Sequence, residues 1–291
     1  MKKNQIIVTD GFDAQLFSEL KSIPEFDVAP KSKYSLSELQ EFFPTVESFI
    51  IRSNTTVNKE LIDQCPNLKY VIRAGEGTDN IDKSYCQAKG IKASNTPGAN
   101  NNSAAEHAIA LMLTTLRKTA WAHNSMANGE WEKSKFTGFE LTNKKIGIIG
   151  FGRIGQLVAK RLQGFEPSIL FYDPFITESP ISYATKCDDL ATIFKTCDII
   201  TIHLPLTDKT KNLITKDLLD LMPQTSILIN AARGKIVNEQ DLYATLKGGK
   251  ILGAGFDVFE EEPLSTSSPL RTLPNIVLTP HLGGSTEEAQ F

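Results

Sequence analysis

No apolar run in this chain approaches the roughly 20 residues that a bilayer-crossing helix needs. Its start, MKKNQIIVTDG, has two lysines but neither a long apolar region nor a small-residue cleavage site, so no signal peptide is expected. Cysteine is scarce: Cys65, Cys86, Cys187 and Cys197 are scattered, with no C-x-x-C spacing. That pattern argues against a disulfide framework and a structural zinc site. No metal is expected, and the thiols read as reduced in a cytoplasmic protein. Neither sign of charge dominates, with 31 Lys and Arg against 34 Asp and Glu. A net charge of −3 gives no support for nucleic acid or a membrane surface as partner. Tandem repeats, low-complexity tracts and Gly/Ser linkers are also missing.

What the chain has instead is rhythm. Short β-branched runs (QIIVTD, VESFIIRS, LKYVIRAG, KKIGIIG, SILFYD, DIITIHL, SILINAA, ILGAGFDV, NIVLTP) alternate with longer amphipathic stretches. Several runs are apolar on consecutive residues, which suits strands covered on both faces. Helices are expected between them, among others over 103–120 and 153–163. This alternation predicts an α/β fold with parallel sheets built from βαβ units. A length of 291 residues suits two domains. The boundary is expected near Asn95–Pro97, where the strand IKAS meets a Pro-Gly turn. Residues 103–145 break the rhythm with a long helix and a polar excursion that holds an isolated Trp131.

Residues 146–155 read IGIIGFGRIG. Gly150, Gly152 and Gly155 form G-x-G-x-x-G directly after an apolar strand and before a helix. The first permits a tight turn, the second lets backbone approach a pyrophosphate, and the third lets helix pack on strand. The anion would sit on free N–H groups at the helix N-terminus. The next strand ends at Asp173, 18 residues past Gly155. A carboxylate there accepts both ribose hydroxyls and repels a 2′-phosphate. Pro174 and Phe175 follow with no arginine, so the expected cofactor is NAD rather than NADP.

Three charged residues follow later strands, where ligands bind in parallel sheets. Arg233 follows SILINAA, Glu262 follows GFDVFEE and precedes Pro263, and His281 follows NIVLTP. Taken singly, each also reads as a strand cap, a member of a solvated acidic run, or a turn residue.

Together with IIRSNTTV, YVIRAGEGTDNID, NTPGANNNSAAE, CDIITIHLPLT, NAARGKIVNEQDL, FDVFEEEP and LTPHLGGSTEEAQ, these stretches resemble the D-isomer-specific 2-hydroxyacid dehydrogenase family over nearly the whole chain. The resemblance implies two doubly wound parallel-sheet domains, with the active site between them. A flavodoxin-like substrate domain is expected over 1–97 with 282–291, and a Rossmann NAD-binding domain over 98–281. It assigns an Arg–Glu–His catalytic set to Arg233, Glu262 and His281. The chemistry agrees: a guanidinium grips a carboxylate with two parallel bonds, and an imidazole takes or gives the hydroxyl proton. A neighbouring carboxylate favours imidazolium and fixes its tautomer.

By the same resemblance Arg153 and Ile154 present the pyrophosphate turn, and Asp257 accepts from the nicotinamide carboxamide. Ala231, Ala232 and Gly283 fall on cofactor-lining segments. His203 and Leu204 resemble a cofactor-lining strand end, although His203 reads equally well as a structural histidine. His107 and His123 read as structural. Substrate contacts are implied for Arg52, Ser53, Arg73, Gly75, Gly77 and Asn100. Two arginines suit an anion with more than one charge.

The implied reaction is NAD-dependent oxidation of D-3-phosphoglycerate to 3-phosphohydroxypyruvate, the first step of L-serine synthesis. Glyoxylate or hydroxypyruvate reduction is the alternative in the same class, and a non-catalytic NAD-sensing interaction protein the alternative from another. Relatives also imply a homodimer through 103–140. One departure is Glu76, where phosphoglycerate-oxidising members commonly have threonine or a small residue. A carboxylate beside a phosphate is costly unless it turns away or pairs with a cation. The sequence ends at Phe291, inside a helix that the family continues, and no serine-sensing domain is expected after it.

Overall fold

The computed structural model of the chain describes residues 4–290. The expected domain limits at residues 1–3 and at Phe291 lie outside the described residues. The chain divides into two compact units, Met1–Asn100 with Thr286–Phe291, and Asn101–Ser285.

The first unit holds strands β1 (Asn4–Val8), β2 (Phe26–Val28), β3 (Ser48–Ile51), β4 (Tyr70–Arg73) and β5 (Lys92–Asn95). They form one parallel sheet in the order β2-β1-β3-β4-β5, the flavodoxin-like doubly wound order. Its core gathers Ile7, Phe49, Ile51, Val57, Val71 and Cys86.

The second unit holds β6 (Lys145–Ile149), β7 (Ser168–Tyr172), β8 (Ala184–Lys186), β9 (Ile199–Ile202), β10 (Ile227–Asn230), β11 (Gly253–Phe256) and β12 (Ile276–Leu278). The seven strands are parallel, in the order β12-β11-β10-β9-β6-β7-β8. The order reverses at β6, whose neighbours are β7 on one side and β9 on the other. Every residue of β9, β10 and β11 is buried. Separate apolar clusters cover the sheet, one around Phe194, Leu219 and Leu242 and another around Leu111, Met112 and Leu162. That double cover is why these strands read as unbroken apolar runs. Each fully buried Ile, Leu or Phe stabilises by about 1.5–3 kcal/mol.

Every strand read from an apolar run is present. The three-residue edge strands β2 and β8 (FDV and ATK) have no such run and went unseen. The expected 103–120 helix begins at Asn101 and stops at Arg117. Lys118, with φ 54°, adopts the left-handed conformation, and a second helix, Thr119–Ala127, starts after it. The helix expected over 153–163 runs Arg153–Leu162.

Among the described residues, no helix is long and apolar enough to cross a membrane. No group of His, Cys, Asp and Glu there could hold a metal. All four cysteines are free thiols. Burial pushes Cys65 up to about 12 and Cys197 to about 11.

Candidate active site

The glycine turn sits at the end of β6, where the strand order reverses. Gly150 has φ +89°, and a Cβ there would lie 2.6 Å from His203 O, so only glycine fits. A Cβ at Gly155 would lie 2.2 Å from Gly150 O, which is the close packing of helix on strand that the motif implies. At Gly152 a Cβ would meet nothing within 4 Å. That residue caps helix Arg153–Leu162 without a side-chain hydrogen bond. Gly152 thus leaves its own side of the turn clear, and the helix start has no side-chain cap, which fits a pyrophosphate.

Asp173 is buried and accepts from Phe151 N at 2.8 Å and from Phe175 N at 2.9 Å, one bond on each oxygen. Each oxygen keeps acceptor capacity, which fits the ribose hydroxyls. The Phe151 ring stacks on Phe171 at 3.9 Å, tying the turn to β7. Such a pair adds about 0.5–1.5 kcal/mol beyond area burial. Across the switch point, the His203 ring bonds to Thr201 Oγ1 at 3.0 Å. Desolvation lowers His203 to about 4, so the ring is neutral at ordinary pH. Leu204 packs beside it on the β9 core. Arg153 is exposed at the helix start, and Ile154 is half-buried.

Arg233, Glu262 and His281 follow the ends of β10, β11 and β12, three adjacent strands. His281 Nδ1 lies 2.6 Å from Glu262 Oε2. The other oxygen of Glu262 accepts from Phe259 N at 3.0 Å, which fixes the carboxylate from behind. Burial raises the Glu262 carboxyl, but the bond and charge of His281 more than offset it, and its pKa is lowered. A Cβ at Gly234 would lie 1.7 Å from Phe259 O. Glycine there lets the Arg233 loop press on the backbone that holds Glu262. Arg233 Nη1 donates to Ala232 O at 2.6 Å. The buried Asn230 braces the same loop, donating to Arg233 O at 3.0 Å and accepting from Ala232 N at 3.1 Å.

Asp257, expected to face a nicotinamide carboxamide, is wholly buried. Its carboxylate accepts from Thr279 Oγ1 at 2.6 Å, Leu282 N at 2.7 Å and Gly283 N at 2.8 Å, with His107 Nε2 at 3.1 Å. Burial raises its pKa, but hydrogen bonds from His107, Thr279 and Leu282 outweigh that, and the net shift is downward. Ala231 O lies 3.9 Å from where a Gly283 Cβ would stand, so the two expected cofactor-lining segments are neighbours.

In the first unit, Arg52 follows β3 and Arg73 ends the adjacent β4. Asn80 links them, accepting from Arg73 Nη1 at 2.9 Å and donating to Arg52 O at 2.7 Å. Asp10, at the end of β1, accepts from Arg52 N at 2.6 Å. Ser53 is exposed on the same loop. Gly75 N donates to Thr96 Oγ1 at 2.9 Å, and Gly77 follows on the half-buried 74–78 loop. Glu76 turns its carboxylate to Gly98 N at 2.5 Å, while Asn95 Nδ2 donates to its carbonyl at 2.7 Å. Asn100 is the last residue of the unit's longer stretch.

Asp10, Asn80, Asn230, Gly234 and Thr279 were not singled out from the sequence. The available signal was a polar residue or glycine just past an apolar strand, where buried backbone groups need partners.

Residues 109–283 match the family described as D-isomer specific 2-hydroxyacid dehydrogenase, NAD binding domain. The D-3-phosphoglycerate dehydrogenase of Archaeoglobus fulgidus is 44% identical over 266 residues, covering 91% of this chain and 50% of its own. The hydroxypyruvate reductase of Thermotoga maritima is 41% identical over 294 residues, covering 100% of this chain and 94% of its own. Among solved structures, NAD-dependent formate dehydrogenase from Staphylococcus aureus in complex with NAD superimposes with a TM-score of 0.87. That match has 33% identity and covers 99% of this chain and 91% of that one. The chain spans about half the length of the phosphoglycerate dehydrogenases it matches.

Proposed function

This chain belongs to the D-isomer-specific 2-hydroxyacid dehydrogenase family, and we propose that it catalyses NAD-dependent oxidation of D-3-phosphoglycerate, with Arg233, Glu262 and His281 as catalytic residues. The observation that supports this most is the 2.6 Å bond between His281 Nδ1 and Glu262 Oε2. Because Nδ1 is committed to the carboxylate, Nε2 is the atom that takes the substrate hydroxyl proton. Bound NAD supplies the acceptor for the hydride leaving C2.

In oxidation, Arg233 holds the substrate carboxylate with two parallel bonds and presents C2 to the cofactor. His281 Nε2 receives the hydroxyl proton as the C2–H electron pair departs with the hydride. Glu262 stabilises the imidazolium so formed. The products are the 2-keto acid, NADH and a protonated His281. Reduction runs the same steps backwards, with imidazolium as the acid. Arg153, Ile154 and the glycine turn hold the pyrophosphate, and Asp173 the ribose.

Arg52 and Arg73 are assigned to the substrate's second anionic group, each offering a guanidinium at the end of a neighbouring strand. A second reading, hydroxypyruvate or glyoxylate reduction, is favoured by two observations. The hydroxypyruvate reductase relative is matched over 94% of its length, and the 74–78 loop holds the Glu76 carboxylate. Substrate panels with wild type, Arg52→Ala and Arg73→Ala decide between them. The first reading expects the variants to lose phosphoglycerate turnover at least about tenfold while keeping hydroxypyruvate turnover. Full phosphoglycerate turnover in both variants removes that substrate assignment. No NADH formation with any 2-hydroxy acid favours a non-catalytic role.

A homodimer through 103–140 is part of the proposal. Trp131 is 81% exposed and Met126 52% exposed. Both line a groove with Phe136 and Phe139, apolar side chains that are set among the charged Arg117, Glu132, Lys133 and Glu140 and suit a second copy. Light scattering of wild type and Trp131→Glu tests it, a dimer and a monomer being the expected results.

A further inference from the structure

We propose that His107 is a positioning residue for His281, acting through the buried Asp257 carboxylate and the Thr279 hydroxyl. The proposal rests on the role given above to His281 and asks what holds that ring in place.

His281 sits in left-handed backbone, φ 54°, on the turn after β12. A residue with a Cβ occupies that region at a cost, and persists there only when its surroundings over-determine it. Glu262 holds the ring, and the turn that carries it is held by a second acid, Asp257. The backbone oxygen of Asp257 accepts from His281 N at 2.9 Å. Its carboxylate takes Thr279 on one side of the histidine, and Leu282 and Gly283 on the other. Four residues of the turn are thus anchored to a single buried residue.

A buried carboxylate needs its charge met by donors. Three come from the turn itself, and the fourth comes from outside. His107 Nε2 lies 3.1 Å from Asp257 Oδ1 and 3.1 Å from Thr279 Oγ1. Thr279 gives its own proton to Asp257. The imidazole is therefore the donor at Nε2, since the ionised carboxylate only accepts. Its side chain is only 17% exposed.

The imidazole is also on a rigid support. His107 belongs to helix Asn101–Arg117, whose Ala104, Ala105, Ala108 and Leu111 are buried. That helix packs on β10, β11 and β12, the strands whose ends hold the catalytic set. The turn touches it directly, for a Cβ at Gly283 would stand 3.3 Å from Asp257 Oδ2 and 3.9 Å from Ala104 Cα. His107 thus ties the 279–283 turn to the helix through a hydrogen-bonded network. An apolar side chain of similar size would fill the space and leave the carboxylate one donor short.

The test compares wild type, His107→Leu and His107→Gln in the full chain. Steady-state kinetics gives kcat and the KM for NAD, and hydrogen exchange follows the Leu282 and Gly283 amides. His107→Leu is expected to lower kcat at least about tenfold, since a misplaced base loses rate without losing cofactor affinity. Its KM for NAD stays within about twofold, and exchange at the two amides quickens at least about tenfold. His107→Gln, whose amide offers a donor at similar reach, recovers most of both. Unchanged kcat in folded His107→Leu, unchanged exchange at the two amides, or equal loss in the Gln variant each overturns the proposal. Should His107→Leu not fold, His107→Asn, whose amide stops short of Asp257, is held to the same expectations. A wild type without turnover defeats the assigned function instead, and the exchange comparison then decides the positioning by itself.

Discussion

His281 Nδ1 and Glu262 Oε2 meet at 2.6 Å, while the second oxygen of the same carboxylate is fixed by the Phe259 amide at 3.0 Å. The acid is therefore immobilised on its own loop before it orients the ring. Its lowered pKa keeps it ionised well into the acid range. Glu262→Gln keeps the shape and removes the charge. For oxidation, which starts from neutral imidazole, the acid limb of kcat/KM is expected at lower pH. Reduction starts from imidazolium and should lose more at neutral pH, at least about tenfold. Rate profiles in both directions check this, and equal loss in both, with no movement of the limb, contradicts the assigned role.

Arg233 tests geometry rather than charge. Its loop is braced by Asn230 and pressed on the Phe259 backbone at Gly234. Arg233→Lys keeps the cation and loses the two-pronged grip, so the KM for the hydroxy acid is expected to rise about 10- to 100-fold. NADH affinity, read by fluorescence titration, should stay as in wild type. A parallel loss of NADH binding would assign Arg233 to the cofactor instead.

Asp173 is expected to choose between cofactors. Asp173→Ser removes the charge that opposes a 2′-phosphate, so the KM for NAD should rise about tenfold and the preference over NADP should shrink. The residue also holds the Phe151 and Phe175 amides, so some loss with both cofactors follows. The deciding quantity is the ratio of kcat/KM with NAD to that with NADP. An unchanged ratio overturns the reading.

His203 gives a stability prediction. Its folded pKa is lowered to about 4 from 6.5 by desolvation. Between those values the unfolded chain binds more protons, so stability falls as pH drops from 6.5 and levels off below about 4. His203→Gln removes this contribution. After discounting for partial solvent access, wild type should lose about 1–2 kcal/mol more than the variant between neutral pH and pH about 4. Urea unfolding of both proteins at the two pH values measures the difference. Identical pH dependence in the two proteins would show that folding does not shift the ring's pKa, which contradicts the prediction.

The strongest readings of the sequence were those whose physical cause is short-range. IGIIGFGRIG followed by a strand and then Asp173 is one βαβ unit, and chain geometry over 28 residues puts turn, helix start and acid at the carboxyl ends of neighbouring strands. Unbroken apolar runs announced β9, β10 and β11 because both faces of that sheet are covered. The edge strands β2 and β8 gave no such sign, since three residues each, of which only Ala184 is buried, bury too little to leave a pattern. The long helix ended earlier than its periodicity suggested, because a left-handed Lys118 leaves no trace in composition.

His107 marks the boundary between what the sequence determined and what the tertiary structure decided. By sequence it reads as a structural helical histidine, and Asp257 as the acceptor for a nicotinamide carboxamide. Only folding brings His107 to Thr279, 172 residues away, and turns Asp257 toward the chain's own turn. Hydrophobic periodicity and glycine spacing are local, and so they survive in the linear order of residues. Which buried donor meets which buried acceptor depends on sheet order and helix packing, which arise only when the whole unit closes around its core.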